Sequence, residues 1–183
     1  MTSAPVKTVT LRAGAAIAAA AMMLGMLSAC TPEPEPTPTK TALFASEEEA
    51  FAAAEETYRA YANAVNKTDL GDTDSFKPVF ELLTGTALEA ERKTLSLYHA
   101  ERLTRTGETT FDSFQPLETD GAEVVVNLCI DVSNVELRYE NGDSAVPEDR
   151  APRVGRKVTF TPGDTPSGLQ ITSNHRPDKG FTC

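Results

Sequence analysis

The sequence predicts an α+β fold in which three N-terminal helices pack on a strongly curved antiparallel sheet. Two observations lead to this prediction. Between residues 46 and 103, apolar residues recur at spacings of three and four, the period of an amphipathic helix. From residue 104 onward they alternate with polar residues, the period of a half-buried strand. Helices followed by strands is the order of an α+β domain.

The first helix should begin at Ser46, because Ser46 and Glu49 form a capping box at its positive end. One apolar stripe follows for about five turns. Its members are Phe51, Ala54, Tyr58, Tyr61 and Val65.

Two shorter helices should follow the first. Pro78 suits the first turn of a short second helix, and Gly85 should close it. Thr86 and Glu89 repeat the capping-box pattern, so a third helix should run to about residue 103. Its apolar stripe is Leu88, Leu95 and Tyr98.

The second half should form the sheet. A strand is predicted near residues 109–114. A long strand should follow over residues 124–139, with a bulge or bend near Ser133 because the apolar parity changes there. Asn141 and Gly142 end it, residues 143–153 form a loop, and residues 154–161 and 169–175 are two more strands.

Residues 1–29 have the pattern of a secretory signal peptide. Lys7 and Arg12 precede an uncharged apolar run that is too short to span a membrane. The run ends in Leu27-Ser28-Ala29-Cys30, which resembles the lipobox of bacterial lipoproteins. That resemblance implies diacylglycerol on the Cys30 sulfur, cleavage before Cys30 and acylation of the new amino group, commonly by palmitate. An uncleaved anchor or an ordinary signal peptide are the alternatives.

Residues 30–43 are predicted to be a tether that carries the lipid. Pro alternates with Glu or Thr over residues 31–39, a composition that favours extended polyproline II. The alternative is a Pro-rich ligand for a partner's aromatic groove. The domain itself should span residues 44–183.

The charge excludes one class of partner. The whole chain has 17 Lys and Arg against 27 Asp and Glu, a net charge of −10. Removing residues 1–29 deletes Lys7 and Arg12 and no acid, which leaves 15 against 27, or −12. A nucleic-acid binder needs a basic face, so no nucleic acid is expected as a partner.

Three cysteines predict one disulfide. Lipidation would use Cys30, which leaves Cys129 and Cys183 in an exported protein. A metal site from two Cys alone is poor, and a redox pair usually has closer spacing. The bond would join the last residue to the most strand-like segment.

The order of elements resembles the NTF2-like (cystatin-like) superfamily, in which three helices cover the concave side of a curved sheet to form a cone. More narrowly, Cys129-Ile130-Asp131-Val132-Ser133, Asn141-Gly142 and the terminal Cys183 resemble exported actinobacterial lipoproteins that carry this domain. The resemblance covers residues 44–183. It implies no catalytic signature that can be carried over.

Four residues are candidates for a pocket in the cone: Tyr58, Tyr61, Tyr98 and His175. The tyrosines can equally be core residues, and His175 can be an exposed strand end before Pro177. His99 should be a surface residue, and Asp131 a locally bonded residue on the outer sheet face. The residues expected to face one another are Phe51, Tyr58, Tyr61, Tyr98, Val126, Leu128, Val158, Phe160 and Ile171.

Two functions are compatible with these observations. The first is a non-catalytic lipoprotein on the outer side of the cell membrane, whose cone binds a small apolar ligand or whose surface binds an envelope protein. The second is a cone enzyme of isomerase or dehydratase type, which needs at least two convergent titratable groups in its cavity. The sequence shows no nucleophile, no metal ligand set and no paired acids, so no cofactor, metal or catalytic residue is predicted.

Overall fold

A computed structural model describes residues 43–183, and its first half is helical. Helix α1 is Glu47–Asn66, helix α2 is Lys77–Glu81 and helix α3 is Gly85–Ala100. A single 3-10 turn, Thr73–Phe76, leads into α2. Ser46 caps α1 by accepting a hydrogen bond from the Glu49 backbone N–H at 3.2 Å, as the capping box predicts. No helix among the described residues is long and apolar enough to cross a membrane.

The second half consists of six strands in two sheets. The strands are β1 (Thr104–Thr106), β2 (Thr110–Thr119), β3 (Val124–Asp131), β4 (Glu136–Arg138), β5 (Arg153–Pro162) and β6 (Leu169–His175). The main sheet is antiparallel with the order β2-β3-β5-β6, and β1 pairs with β4 in a small second sheet. The α+β fold with three helices on a curved antiparallel sheet is therefore confirmed.

The core lies between the helices and the concave face of the main sheet. Val126, Leu128, Val158, Phe160 and Ile171 supply fully buried side chains from the sheet, and Tyr58 is buried from α1. Phe51, Tyr61 and Tyr98 are partly buried and pack against this core. All nine residues expected to face one another therefore do so. Each strand has its apolar residues on one face, and each helix has an apolar stripe along one side. Burial of these apolar sides against one another explains this result.

The long strand predicted over residues 124–139 is two strands in different sheets. β3 ends at Asp131, and a turn closed by a hydrogen bond from Val135 N–H to Val132 O separates it from β4. The parity change near Ser133 predicts a bulge or bend within one strand. The chain instead leaves the main sheet there, so that Val135 is buried and Leu137 pairs with Arg105 of β1.

The third helix begins without the capping box predicted at Thr86. Thr84 occupies the N-cap position but makes no side-chain cap, and the Thr86 hydroxyl donates to the Thr172 carbonyl of β6. Gly85 does not close α2, because it is the first residue of α3. It has a positive φ of 51°, and a Cβ there would lie 2.7 Å from Thr172 Oγ1. The close approach to β6 thus requires glycine at this position.

The loop before α3 also covers one edge of the main sheet. Thr84 N–H donates to Ile171 O, and Ile171 N–H donates to Leu82 O. The backbone N–H and C=O of Ile171, on the free side of β6, are therefore paired with this loop. This arrangement blunts an edge that could otherwise pair with another chain.

The C-terminal tail crosses the outer face of the sheet. Cys183 is joined to Cys129 of β3, with the two Cα atoms 5.8 Å apart, as the cysteine count predicts. Pro177 and Phe181 pack closely on Gly155, which lies opposite Cys129 in β5. The predicted signal peptide, Cys30 and most of the tether lie outside the described residues and stay predictions.

Candidate functional site

A cavity of about 480 Å³ lies between α1, α3 and the concave face of the sheet. This volume falls in the range of about 300–1,000 Å³ that small-molecule sites occupy. The walls are mainly aliphatic and tyrosyl, and they include Ala62, Val65, Ala87, Ile130 and Leu137. The space therefore suits a small molecule with an apolar body.

Three of the four sequence-predicted pocket residues line this cavity. They are Tyr58 and Tyr61 of α1 and Tyr98 of α3. The Tyr58 ring packs against Tyr61, with centroids 5.6 Å apart, and against Phe111 of β2 at 4.9 Å. These contacts hold the two α1 rings as fixed parts of the wall.

His175 is not a cavity residue, so its assignment to the pocket is wrong. It is exposed at the end of β6. Ile171 is paired with Phe160 and Ser173 with Thr159, so Thr172 is an extra residue in β6. This bulge reverses the inward parity of the strand. Asn174, opposite Val158, faces the cavity in place of His175.

Glu91 of α3 is the principal residue that sequence reasoning missed. Its carboxylate Oε2 accepts a hydrogen bond from the Tyr61 hydroxyl at 3.1 Å. Burial raises the pKa of Glu91, although the Tyr61 hydrogen bond and the charge of Arg105 oppose that rise. Glu91 lies on the apolar stripe between Leu88 and Leu95, and an acid within that stripe is the signal that could have found it.

The tyrosine hydroxyls are held in a desolvated environment. Burial raises the pKa of Tyr58, and the charge of Arg156 and a hydrogen bond from Asn174 oppose the rise. Burial also raises the pKa of Tyr61, as does its neighbour Glu91. Both phenols are therefore neutral near pH 7. They can donate or accept hydrogen bonds at the cavity wall without adding charge.

Three arginines reach the cavity, and two of them are held by other groups of the protein. Arg105 donates to Val65 O at 2.9 Å and also to Asn66 and Thr109. Arg150 donates to the carbonyls of Val132 and Val135 at 2.9 and 2.8 Å. These two guanidinium groups tie the small sheet and the loop before β5 to the rest of the domain.

Arg156 differs from the other two arginines. It lies on the concave face of β5, opposite Leu128, and lines the cavity. Its guanidinium has no hydrogen-bond or ion-pair partner among residues 43–183. Glu91 is not its counter-ion, because the cation that acts on Glu91 is Arg105.

A second, larger cleft is open to solvent and is a weaker candidate. It measures about 670 Å³ and lies beside His99, Arg102 and Glu140. His99 is exposed, with Nδ1 2.8 Å from Leu70 O, in agreement with the prediction of a surface histidine. Arg102 and Glu140 approach only to 3.5 Å, and both side chains are more than 60% exposed. Such exposed charges offer little binding free energy.

Asp131 lies on the outer sheet face, as predicted. Its Oδ1 accepts from the Ser133 N–H at 2.9 Å, and Arg153 approaches its Oδ2 at 3.4 Å. Arg153 bonds more closely to Asp112 of β2, at 2.7 Å. No group of three or more His, Cys, Asp or Glu side chains within residues 43–183 is placed to hold a metal ion.

The raised pKa of Glu91 predicts a pH-dependent effect of Glu91→Gln. The folded protein holds the protonated carboxyl more readily than the unfolded chain does, so Glu91 lowers stability as the pH rises above about 4. Gln keeps an acceptor for Tyr61 and carries no charge. The free energy of unfolding of the variant minus that of the wild type should therefore increase from acid toward neutral pH. Urea denaturation at several pH values measures this difference, and a value that is constant with pH would contradict a buried Glu91.

No protein-family model and no curated protein sequence matches the chain. Three solved structures show distant likeness. The intermembrane space region of the chloroplast protein ARC6 aligns with a TM-score of 0.49 and 16% identity, over 68% of this chain and 93% of that one. A protein from Catenulispora acidiphila in complex with S-DNPA has a TM-score of 0.47 and 13% identity, over 70% and 92% of the two chains.

The third structure is a putative aromatic ring hydroxylase from Novosphingobium aromaticivorans, with a TM-score of 0.45 and 14% identity over 70% of this chain and 88% of that one. Likenesses this remote carry no function over to this chain. The class of protein is instead defined by its own architecture. It is an α+β domain in which three helices pack on an antiparallel sheet, with a cavity between helices and sheet.

Proposed function

We propose that this protein binds a small, largely apolar molecule in the cavity between α1, α3 and the sheet. We further propose that it does so as a lipid-anchored protein on the outer side of the cell membrane. The observation that carries the first proposal is the cavity of about 480 Å³ with aliphatic and tyrosyl walls. Burial of apolar ligand surface against such walls supplies the binding free energy.

The polar groups of the cavity favour a ligand with a polar end. Arg156 and Asn174 line the same cavity as the aliphatic residues. A few polar groups among apolar walls fix the orientation of a ligand, whereas a purely apolar filling would leave them unsatisfied. The proposed ligand is therefore amphipathic.

A substitution that fills the cavity should prevent binding. Ala90 lines the cavity from α3 and is exposed, so Ala90→Phe should occupy the space without disturbing the buried core. The full processed chain is held in lipid nanodiscs and titrated calorimetrically with 1-hexanol and cyclohexanol, with empty nanodiscs as the blank. Affinity for both alcohols should fall about tenfold or more in Ala90→Phe.

Ala60→Phe is the matched control, because Ala60 is exposed on α1 and does not line the cavity. This variant should bind both alcohols as the wild type does. If neither alcohol binds the wild type, or if the two Phe variants bind equally well, the cavity is not a ligand site.

A cavity enzyme of isomerase or dehydratase type is the second candidate function. The hydrogen bond between Tyr61 and Glu91 favours it, because two titratable groups converge and burial raises the pKa of the carboxyl. Binding remains the first proposal because most of the wall is apolar. Glu91→Gln separates the two functions: a binder keeps its ligand unchanged, whereas an enzyme loses turnover of the molecule that it binds.

The anchor is tested at Cys30. Cys30→Ala removes the sulfur that would carry diacylglycerol, so the chain should remain an unprocessed precursor or be released from the membrane. Membrane fractionation and the mass of the mature protein measure this outcome. A Cys30→Ala protein that still fractionates as a processed membrane protein would contradict the anchor. The substitution should not change ligand binding in the cavity.

A further inference from the structure

We propose that the cavity recognises a carboxylic acid, with the carboxylate bound by Arg156 and a neighbouring hydroxyl or amide N–H donated to Asn174. This inference rests on the proposed ligand-binding function and names the chemical class of the ligand. The two residues lie near each other on adjacent strands. Asn174 is opposite Val158 in the register of β5 and β6, and Arg156 is two residues before Val158 on the same concave face.

The guanidinium of Arg156 is the free cation of the site. Arg105 and Arg150 donate hydrogen bonds to other groups of the protein. Arg156 has no such partner among residues 43–183. A partly buried cation without a partner lacks compensation for the water it has lost. A carboxylate matches the planar fork of the guanidinium with two parallel hydrogen bonds.

Asn174 supplies the second observation. Its Oδ1 is buried and has no hydrogen-bond partner within the described residues. A buried acceptor without a donor is unfavourable, because it has lost its hydrogen bonds to water and gained none from the protein. A ligand hydroxyl or amide N–H beside the carboxylate would satisfy this oxygen.

Glu91 does not pair with the Arg156 guanidinium, so that guanidinium is available to a ligand carboxylate. Its carboxyl accepts from Tyr61, and Arg105 is the cation that acts on it. Burial favours the protonated carboxyl, which weakens its repulsion of an incoming anion. The remaining walls, including Val65, Ala87 and Ile130, are apolar and accommodate a hydrocarbon body.

The test compares probes of one chain length on the full processed protein in nanodiscs, by calorimetry. The probes are 3-hydroxyhexanoate, N-propanoylglycine, hexanoate, 1-hexanol and hexylamine. Hexanoate should bind at least about tenfold more tightly than 1-hexanol, because a hydrogen-bonded charge is worth about 1.5–3 kcal/mol. At least one of the two probes that carry a hydroxyl or amide N–H near the carboxylate should bind more tightly than hexanoate. The tighter of these two probes shows whether Asn174 accepts from a hydroxyl or from an amide N–H.

Three variants locate the interaction. Arg156→Gln should abolish the preference for hexanoate over 1-hexanol, and Asn174→Ala should remove only the gain from the extra donor. Arg176→Gln is the matched control, since it makes the same change of charge at an exposed residue that does not line the cavity. It should bind every probe as the wild type does.

The outcomes distinguish this inference from the proposed function. If 1-hexanol binds but hexanoate gains nothing, or if hexylamine binds best, the carboxylate assignment is wrong while ligand binding stands. An unchanged preference in Arg156→Gln would also overturn it. If no probe binds at all, the proposed function fails with it.

Discussion

Replacing Cys129 and Cys183 together by Ala should lower the free energy of unfolding by about 4 kcal/mol. The two residues are 54 positions apart, and a cross-link over a loop of that length removes about this much chain entropy from the unfolded state. The midpoint of thermal unfolding should fall by about 10 °C or more. Calorimetry and urea denaturation of the purified protein measure the two quantities.

The wild type treated with reductant provides the control. Reduction should produce nearly the same loss, because it breaks the same cross-link, and reductant should have no effect on the double Ala variant. Equal stability of oxidised and reduced wild type would show that the tail is not joined to β3 in solution. A peptide map without reduction that contains both thiols free would show the same.

Leu169→Ala should destabilise the domain by about 2–5 kcal/mol. Leu169 begins β6, is 0% exposed and belongs to the core between helices and sheet. Truncation removes buried methyl groups and leaves a cavity that the surrounding side chains fill only in part. Equilibrium urea denaturation gives the change in the free energy of unfolding.

Leu117→Ala is the matched control on the edge strand β2. The Leu117 side chain is 45% exposed, so the same truncation there should cost less than about 1 kcal/mol. Equal losses from the two variants would contradict the burial of Leu169 in the core.

The helices and the inward faces of most strands could be predicted because local signals and burial agree there. Ser46 caps α1 as its spacing to Glu49 indicates, and the stripe containing Tyr58 packs against the sheet. Val126 and Leu128 lie two residues apart in β3, so they share one face of the strand, and both are fully buried there. Where one apolar period runs unbroken, it fixes which side of an element is buried.

Tertiary contacts determine the start of α3 and the inward face of β6, which the sequence did not predict correctly. Thr86 has the pattern of a cap, but its hydroxyl bonds to β6 and the helix starts earlier. The extra residue Thr172 in β6 turns Asn174 inward and His175 outward. A single bulge reverses which side chains of a strand face inward, and neither composition nor spacing indicates it. The assignment of His175 to the pocket is wrong for this reason.

The charged residues of the cavity were missed for a different reason. Glu91 and Arg156 both interrupt apolar patterns, and either could have been a solvated residue at the margin of its element. Only the packed structure shows that both line one cavity, that Glu91 accepts from Tyr61 and that Arg156 has no partner within residues 43–183. Charged groups that line a cavity at such partly buried positions are candidates for a binding or catalytic site.

The most direct test of ligand binding is native mass spectrometry of the protein isolated from its native host. The account predicts a small amphipathic molecule that remains bound under gentle conditions, is released on unfolding and is carried by Ala60→Phe but not by Ala90→Phe. A wild-type protein that carries no such molecule, and that takes none up from an extract of its host membrane, would contradict the account.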